Sequence, residues 1–147
     1  MSHNFMGDLS FHFNHKDFAC KCQECDNYYR IDLGLVGALE MIADHFNKNI
    51  TIVDGYRCED YINKIGASAK SMHARGKAAN IKIDGVSPIE IYNFASTIPE
   101  IKGMGLYPDD GFVHVDIRRE DEKKEWIREG GRVTPLTAEK KTRYGIS

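Results

Sequence analysis

Two segments of the chain alternate apolar and polar side chains with the two-residue period of a β-strand. In the segment 112–117, FVHVDI, one face carries three aliphatic residues and the other carries His114 and Asp116. The segment 79–83, ANIKI, likewise places Asn80 opposite its two isoleucines. Because an aliphatic face packs against the core, both strands are predicted to direct their polar side chains away from it, towards a cleft or solvent.

Helical periodicity interleaves with further strand patterns along the rest of the chain. Asp32 and Ser87 are predicted N-caps, and Pro88 suits a first helical position. A D-G pair is predicted to turn the chain after residue 83, and a D-D-G turn to join the last two strands. These patterns predict an α+β fold, a small, mostly antiparallel sheet packed with helices. The predicted helices are 32–47, 59–65 and 87–97, and the predicted strands are 50–53, 79–83, 103–108 and 112–117.

The C-terminal segment 120–147 is highly charged and contains a G-G pair. It predicts an edge helix around Trp126, followed by a loose tail over 130–147. The length of 147 residues and the absence of repeats or a linker predict one domain spanning 1–147.

Composition excludes several classes of function. The formal net charge is −2 and the sequence pI is about 6.3, so no basic field for nucleic acid exists. No apolar run is long enough to span a membrane. The N-terminus has no apolar segment typical of a signal peptide, and we therefore expect a cytoplasmic protein, one released by phage-type lysis, or one whose signal is not part of this sequence. We also expect a monomer.

Three polar residues in these segments suit a metal site. His73 precedes the strand of Asn80 across a short loop, and His114 lies on another strand. Two histidines, one oxygen ligand and an open position are what a catalytic zinc site requires. Asp116, two residues after His114, is a candidate supporting carboxylate. Each residue taken alone also has a structural interpretation instead of a metal-binding one, since a single histidine or asparagine more often lies at the surface or in a turn.

Four cysteines form a second candidate site. Cys20, Cys22 and Cys25 lie within six residues, and Cys58 lies in GYRCED. Four thiolates suit a structural zinc ion, although Cys-x-Cys-x-x-Cys is not the usual zinc-finger spacing. Disulfides or free thiols are the alternatives, and the sequence leaves all three open.

Taken together, the motifs resemble those of the zinc D-alanyl-D-alanine carboxypeptidase family, whose fold also occurs in the hedgehog signalling domain. The residues that carry the resemblance are DGYRC, Asn63, GASAKSMHARGKAANI, GMGLYP and FVHVDIR, followed by Trp126. The family pattern is roughly S-G-Y-R, then S-x-H-x-x-G-x-A-x-D, then a strand ending in H-x-D. The resemblance covers about 18–126 and implies a hedgehog-like D,D-peptidase fold.

The resemblance also implies roles for individual residues. His73, His114 and position 80 would bind zinc. Arg57 would hold the carboxylate or carbonyl of the substrate, for which its planar donors are suited.

Three other residues of the matched motifs have implied roles at the site. Tyr56 and Ser71 would contact the substrate or support its loop. Asp116 would act as a supporting or acid–base residue. The family's water-activating carboxylate often lies just before the last histidine, where this chain has Asp109, Asp110 and Gly111.

The chain departs from the family pattern at two positions. Asp54 replaces the serine of S-G-Y-R, and Asn80 replaces the aspartate ligand. Asn80 is open to three interpretations: a natural weak ligand, the mark of a pseudoenzyme, or an introduced substitution that traps an inactive state.

The sequence therefore predicts a zinc metallopeptidase-like domain that hydrolyses D-amino-acid peptide bonds of peptidoglycan, as a D,D-carboxypeptidase or endopeptidase. The peptidoglycan stem peptide, or a similar peptide, is the predicted partner. The alternative is a non-catalytic pseudoenzyme that binds the same peptides in the same cleft. A third hypothesis is a structural zinc domain built on the cysteines.

Overall fold

A six-stranded sheet forms the centre of the computed structural model, which describes residues 7–22, 24–26, 28–67 and 71–147. Residues 68–70 of the GASAKSMHARGKAANI motif, and the first six residues, lie outside this description. The strand order is β1-β2-β4-β3-β5-β6, and every neighbouring pair is antiparallel except β3 and β5. The predicted α+β class with a mostly antiparallel sheet is confirmed. The strands are β1 (Thr51–Asp54), β2 (Ala78–Lys82), β3 (Gly103–Tyr107), β4 (Phe112–Asp116), β5 (Lys124–Glu129) and β6 (Arg132–Pro135).

Within the described parts of the chain, four α-helices and two short 3-10 helices accompany the sheet. Asp32 and Ser87 cap α1 and α3 as predicted, through bonds from Gly34 N and Glu90 N. These interactions are local in sequence, which is why the sequence reveals them. The α-helices are α1 (Leu33–Phe46), α2 (Glu59–Ile65), α3 (Pro88–Ala95) and α4 (Ala138–Tyr144), and the 3-10 helices are His15–Phe18 and Met72–Arg75.

The core lies against one face of the sheet. Val113 and Val115 of β4 are fully buried in it, together with Ile81 of β2 and Met104 of β3. The predicted alternation of these strands is confirmed, and it leaves the opposite face of the sheet to polar residues. No helix among the described residues has the length and apolarity needed to cross a membrane.

The prediction for 120–147 was wrong. Trp126 lies on strand β5, which pairs in parallel with β3, and the expected loose tail forms β6 and α4. The strand is stable because Ile127 enters the core, while the charged Glu125 accepts hydrogen bonds from Tyr92 Oη at 2.5 Å and Lys141 Nζ at 2.8 Å. Tertiary partners therefore neutralise the charges that made this segment resemble an exposed helix.

Candidate metal centre and substrate cleft

Polar residues of two adjacent strands meet on the sheet face opposite the core. Asn80 of β2 lies directly across from His114 of β4, and Ala78 lies across from Asp116. The exposed fractions of Asn80, His114 and Asp116 are 4%, 6% and 0%, so they form a buried polar layer and not the solvated surface that one interpretation of the sequence allowed. Buried polar groups require partners, and each of these has them.

His73 reaches the same layer from the 3-10 helix Met72–Arg75. Ser71 caps this helix by accepting a hydrogen bond from His73 N at 3.2 Å. The His73 Nδ1 lies 2.7 Å from the carbonyl oxygen of Gly55, which can only accept a hydrogen bond. The proton is therefore assigned to Nδ1, leaving an unshared electron pair on Nε2. The ring centroids of His73 and His114 are 5.1 Å apart.

His114 is held from both of its ring nitrogens. Nε2 lies 2.8 Å from Asp116 Oδ2, and Nδ1 lies 3.0 Å from Asn80 Oδ1. Because the Asp116 carboxylate accepts, the proton is assigned to Nε2, and in that tautomer Nδ1 presents an electron pair. The Asn80 Nδ2 donates to Asp54 Oδ2 at 3.4 Å, which orients its oxygen towards His114. Two electron pairs thus face one another across 3.0 Å, an arrangement that favours a proton or a cation between them.

Asp116 is fixed by Arg118 as well as by His114. Arg118 donates from Nε to Oδ1 at 2.8 Å and from Nη2 to Oδ2 at 2.7 Å. Burial alone would raise the pKa of Asp116, but the hydrogen bonds from Arg118 and His114 lower that pKa well below its usual range. A carboxylate held this way stays ionised and orients the imidazole. Its contacts favour a positioning role over the acid–base role that the resemblance offered.

Burial keeps His73 neutral. Desolvation is the largest effect, and the nearby His114 and Arg57 act in the same direction, so that the pKa of His73 falls to about 3. A neutral imidazole is the form that binds metal ions. His73 is therefore ready to act as a ligand at neutral pH.

The donor set fits the zinc ion that the resemblance implies. The 3.0 Å between His114 Nδ1 and Asn80 Oδ1 is close to the separation of about 3.3 Å between ligands of a tetrahedral zinc ion, and the His73 ring lies 5.1 Å from that of His114. Both histidines have the protein acceptors typical of metal ligands behind them. The set carries no negative charge, and among the described residues Asp54 is the only carboxylate that hydrogen-bonds Asn80.

An open cleft of about 840 Å³ lies over this layer. Arg57 and Ser71, two of the residues expected to contact the substrate, line this cleft. Tyr56 does not, and borders a separate hollow beside Glu59 and Asn63. The described residues that line the cleft include three arginines and no Asp or Glu. They are Arg57, Ile65, Gly66, Ala67, Ser71, Met72, His73, Asn80, Tyr107, Phe112, His114, Arg118, Trp126, Arg128 and Val133.

The carboxylates of the turn before β4 lie outside this lining. Asp110 Oδ2 accepts a hydrogen bond from Arg128 at 3.2 Å, and Asp109 Oδ2 accepts one from Gly130 N at 2.9 Å. Through these contacts, both aspartates connect the turn before β4 to the neighbouring β5–β6 hairpin. The geometry therefore supplies no water-activating carboxylate at the positions that the resemblance indicated.

One wall of the cleft was missed by the sequence reasoning. The Trp126 ring lies tilted against that of His114, with ring centroids 4.9 Å apart, and its Nε1 donates to Tyr107 Oη at 3.0 Å. The small residues of β3 make room for this layer, since a Cβ on Gly103 would overlap the Asp116 carboxylate and one on Gly105 would overlap the Trp126 ring. The segment GMGLY contained a signal for this wall. Glycine occupies both strand positions, Gly103 and Gly105, at which a side chain would point towards the polar layer.

Two other groups could hold a metal among the described residues. The four cysteines converge, and none of them lines the cleft. The second group is His12, Glu40 and Asp44. Its Glu40 carboxylate already accepts hydrogen bonds from Ser10 Oγ, His12 N and His12 Nδ1, at 2.5, 2.7 and 2.5 Å. These hydrogen bonds satisfy the Glu40 carboxylate without a metal ion.

Comparison with known proteins finds similarity to peptidases of peptidoglycan. The chain is 31% identical to the peptidoglycan L,D-endopeptidase MepK of Escherichia coli K12 over 96 residues, which is 62% of this chain and 47% of that protein. It is 33% identical to the probable peptidoglycan L,D-endopeptidase MepK of Haemophilus influenzae over 76 residues, 48% of this chain and 40% of that protein. The matched part of the chain thus spans about half the length of these relatives or less.

A family model matches a longer part of the chain. The model described as Peptidase M15 matches residues 11–116, a span that contains both histidines of the polar layer, Asn80 and Asp116. The match covers well over half of the 147 residues. The chain belongs to the peptidase M15 family.

Proposed function

We propose that the chain is a zinc-dependent peptidase that hydrolyses peptide bonds in the stem peptides of peptidoglycan. The observation that carries the proposal is the buried pair His73 and His114. Each ring has one nitrogen bonded to a protein acceptor, and Asn80 Oδ1 lies 3.0 Å from the other nitrogen of His114. The pair lies below an open cleft of about 840 Å³, which is large enough for a short peptide.

The residues around the proposed ion have separable tasks. When bound, zinc would activate a water molecule and polarise the scissile carbonyl. His73 and His114 would hold it, and Asp116 would keep His114 in the tautomer that presents Nδ1. The Trp126 ring, 4.9 Å from that of His114, would cover this histidine from one side. The cleft-lining residues that the structure describes offer no carboxylate as a general base.

Arg57 is the proposed substrate anchor. Its Nη2 contacts Asp54 Oδ2 at 3.2 Å, while its Nε is buried and has no hydrogen-bond partner among the described residues. A buried donor without a partner is costly, and a substrate carboxylate or carbonyl would satisfy this part of the guanidinium network. Stem peptides carry free carboxylates, which suits a cleft lined by arginines and no described acidic residue.

The proposal also extends to which peptide bond of the stem peptide is cleaved. The sequence motifs suggest D,D-peptidase action, whereas the relatives are named L,D-endopeptidases. The same site would serve either linkage, because the ion acts on the carbonyl and the cleft walls select the flanking residues. We propose L,D cleavage as the first activity to test, and D,D cleavage as the second.

A second candidate function is binding of the same peptides without hydrolysis. Asn80 favours it, because a neutral amide ligand holds a divalent cation more weakly than a carboxylate does. In this case the cleft and Arg57 would be retained for recognition, and the ion would be absent or weakly held.

Digestion of purified peptidoglycan separates the two candidates. Sacculi and isolated muropeptides with L,D and D,D linkages are incubated with the native chain, Asn80→Asp and His114→Ala, each with zinc supplied, and the products are identified by mass spectrometry. The peptidase proposal expects cleavage by the native chain and by Asn80→Asp, and none by His114→Ala. Cleavage by Asn80→Asp alone, with sacculus binding by the native chain, would instead support the binding protein. Failure of both the native chain and Asn80→Asp to cleave either linkage would overturn the peptidase proposal.

A further inference from the structure

The four cysteines converge on one point away from the cleft. Cys20, Cys22 and Cys25 follow the 3-10 helix His15–Phe18, and Cys58 is the N-cap of α2. All four Sγ atoms lie within 4.8 Å of one another, and those of Cys22 and Cys58 are 3.6 Å apart. None of the four is in a disulfide. Chain segments more than 30 residues apart in sequence thus bring four soft ligands together.

These distances match a tetrahedral metal site. With Zn–S bonds of about 2.3 Å, the sulfurs of a tetrahedral zinc site lie about 3.8 Å apart. The observed sulfurs need only small movements to reach that arrangement. A disulfide would instead draw two sulfurs to about 2.0 Å and leave the other two as a separate pair. The convergence of all four sulfurs within 4.8 Å of one another favours one shared ion.

Backbone donors already surround the sulfurs. Cys58 N donates to Cys20 Sγ at 3.3 Å, and Glu24 N donates to Cys22 Sγ at 3.4 Å. Tyr61 N donates to Cys58 Sγ, also at 3.4 Å. Hydrogen bonds of this kind stabilise the negative charge on thiolate ligands and fix their orientation. Three of the four sulfurs therefore have an outer set of partners in place.

We propose that Cys20, Cys22, Cys25 and Cys58 bind a structural zinc ion, distinct from the proposed ion of the cleft. Four thiols would lose their protons as the four Zn–S bonds form, and no oxidant is needed. Thiolates in a closed tetrahedral set select zinc or iron over hard cations such as magnesium. With all four positions filled by protein, this ion would have no open position for a substrate.

The site would stabilise the loop that supports the cleft. Cys58 follows Arg57 directly, and the same loop provides the Gly55 carbonyl that orients His73 at 2.7 Å. Tyr56 N donates to Phe18 O at 2.9 Å, which ties this loop to the segment that carries the other cysteines. A bound ion would add a second connection between these segments, and its loss would loosen the supports of His73 and Arg57.

Cobalt substitution tests the proposal independently of peptidase activity. The chain is purified under reducing conditions, stripped with chelator and titrated with Co²⁺. We expect thiolate-to-cobalt charge-transfer bands and the visible bands of tetrahedral cobalt; in His114→Ala, which lacks a ligand of the cleft site, they should saturate at one equivalent per chain. His114→Ala should retain these bands, whereas Cys22→Ser together with Cys25→Ser should lose them. Absence of the bands from the reduced native chain would overturn the proposal without any variant.

Two further measurements cover the alternatives. In the His114→Ala variant, which retains only the cysteine site, chelator should lower the Tm by about 10 °C. Alkylation of the denatured chain, freshly isolated without reductant, should modify all four thiols. Blocked thiols together with a mass lower by the hydrogens of two disulfides would overturn the proposal in favour of disulfides. Unchanged Tm and fully free thiols without a cobalt signal would overturn it in favour of unliganded cysteines.

Discussion

Asn80 faces Asp54 across the β1–β2 pair, and its Nδ2 lies 3.4 Å from the Asp54 carboxylate. These are the two positions at which the chain departs from the pattern of related peptidases. Where that pattern has a serine and an aspartate, this chain has an aspartate and an asparagine. The pair therefore keeps one carboxylate, displaced by one strand from the ligand position, and the same carboxylate also contacts Arg57 at 3.2 Å.

This relationship predicts that Asp54 contributes to zinc affinity in the cleft. Asp54→Asn should weaken zinc binding there by about 10–100-fold, the range typical of residues that contact a ligand. Exchange of the two side chains, Asp54→Asn with Asn80→Asp, should restore at least the native affinity, because the carboxylate then contacts the ion directly. Zinc affinity is measured by competition with a chelator. The part of the zinc-binding signal that His114→Ala lacks is assigned to the cleft site.

Asp60→Asn is the matched control for this exchange. It removes the same charge from an exposed position on α2 and should leave the affinity unchanged, since exposed charges are screened by solvent and salt. An Asp54→Asn variant that binds zinc as tightly as the native chain would show that the displaced carboxylate has no role at the ion.

Asp116 is predicted to position His114 and to stabilise the fold. Asp116→Asn should weaken zinc binding by about 10–100-fold, because the amide no longer enforces the proton on Nε2. It should also lower the free energy of unfolding by up to about 3 kcal/mol, since Arg118 loses its buried partner. Chemical denaturation measures the second effect.

Glu120→Gln is the matched control for Asp116→Asn, because both carboxylates contact Arg118. Glu120 contacts Arg118 at 3.6 Å from a more exposed position, and its replacement should change stability by less than about 1 kcal/mol. Equal effects of the two substitutions would contradict the assigned difference between the buried and the exposed ion pair.

The sequence revealed the parts of this site that depend on local patterns. The alternation around His114 and Asn80 identified the polar face, and Asp32 and Ser87 were recognised as caps because their partners lie within three residues. The contact between Asp54 and Asn80 was not predictable in the same way. It depends on the pairing of β1 with β2, which contains an irregularity between Ile52 and Asp54.

The C-terminal strands were missed for a related reason. In KEWIRE only Ile127 is fully buried, so the apolar signal is one residue long. Its strand pairs in parallel with β3, about twenty residues away, and Glu125 is half-buried against Tyr92 and Lys141. Non-local pairing and tertiary charge compensation leave little trace in the local sequence.

Protonation of His73 is predicted to destabilise the chain in mildly acidic solution. Its pKa falls from 6.5 in the unfolded chain to about 3 in the folded one, so between these values the unfolded state binds more protons. Stability is therefore complete above pH 6.5 and should fall as the pH decreases, by up to about 1.4 kcal/mol per unit. Because the pKa of Asp116 is lowered from its usual 3.8, this residue also makes stability fall as the pH decreases below that value.

Urea unfolding at a series of pH values, with chelator present, measures this dependence. The variant His73→Gln should lose the part of the slope between pH 4 and 6.5, whereas His45→Gln, at an exposed position on α1, should retain the contribution of His73. A native slope that persists unchanged in His73→Gln would contradict the assignment to this buried ring.

Gly103 is predicted to be required for the position of the Asp116 carboxylate. The two residues face each other across β3 and β4, and a Cβ on Gly103 would overlap the carboxylate. Because Asp116 is held by Arg118 and His114, it has no free direction in which to move. Gly103→Ala should therefore cost about 1–3 kcal/mol of stability and weaken zinc binding in the cleft. Thermal unfolding and chelator competition measure the two effects.

Gly37→Ala is the control for the same substitution. Gly37 is exposed on α1, where an added Cβ would meet no atom within 4 Å, and alanine favours a helix over glycine by about 0.5–1 kcal/mol. This variant should be slightly more stable than the native chain and bind zinc unchanged. If Gly103→Ala behaved like Gly37→Ala, the glycine of β3 would not be what makes room for Asp116, and the link from β3 through Asp116 to His114 would be wrong.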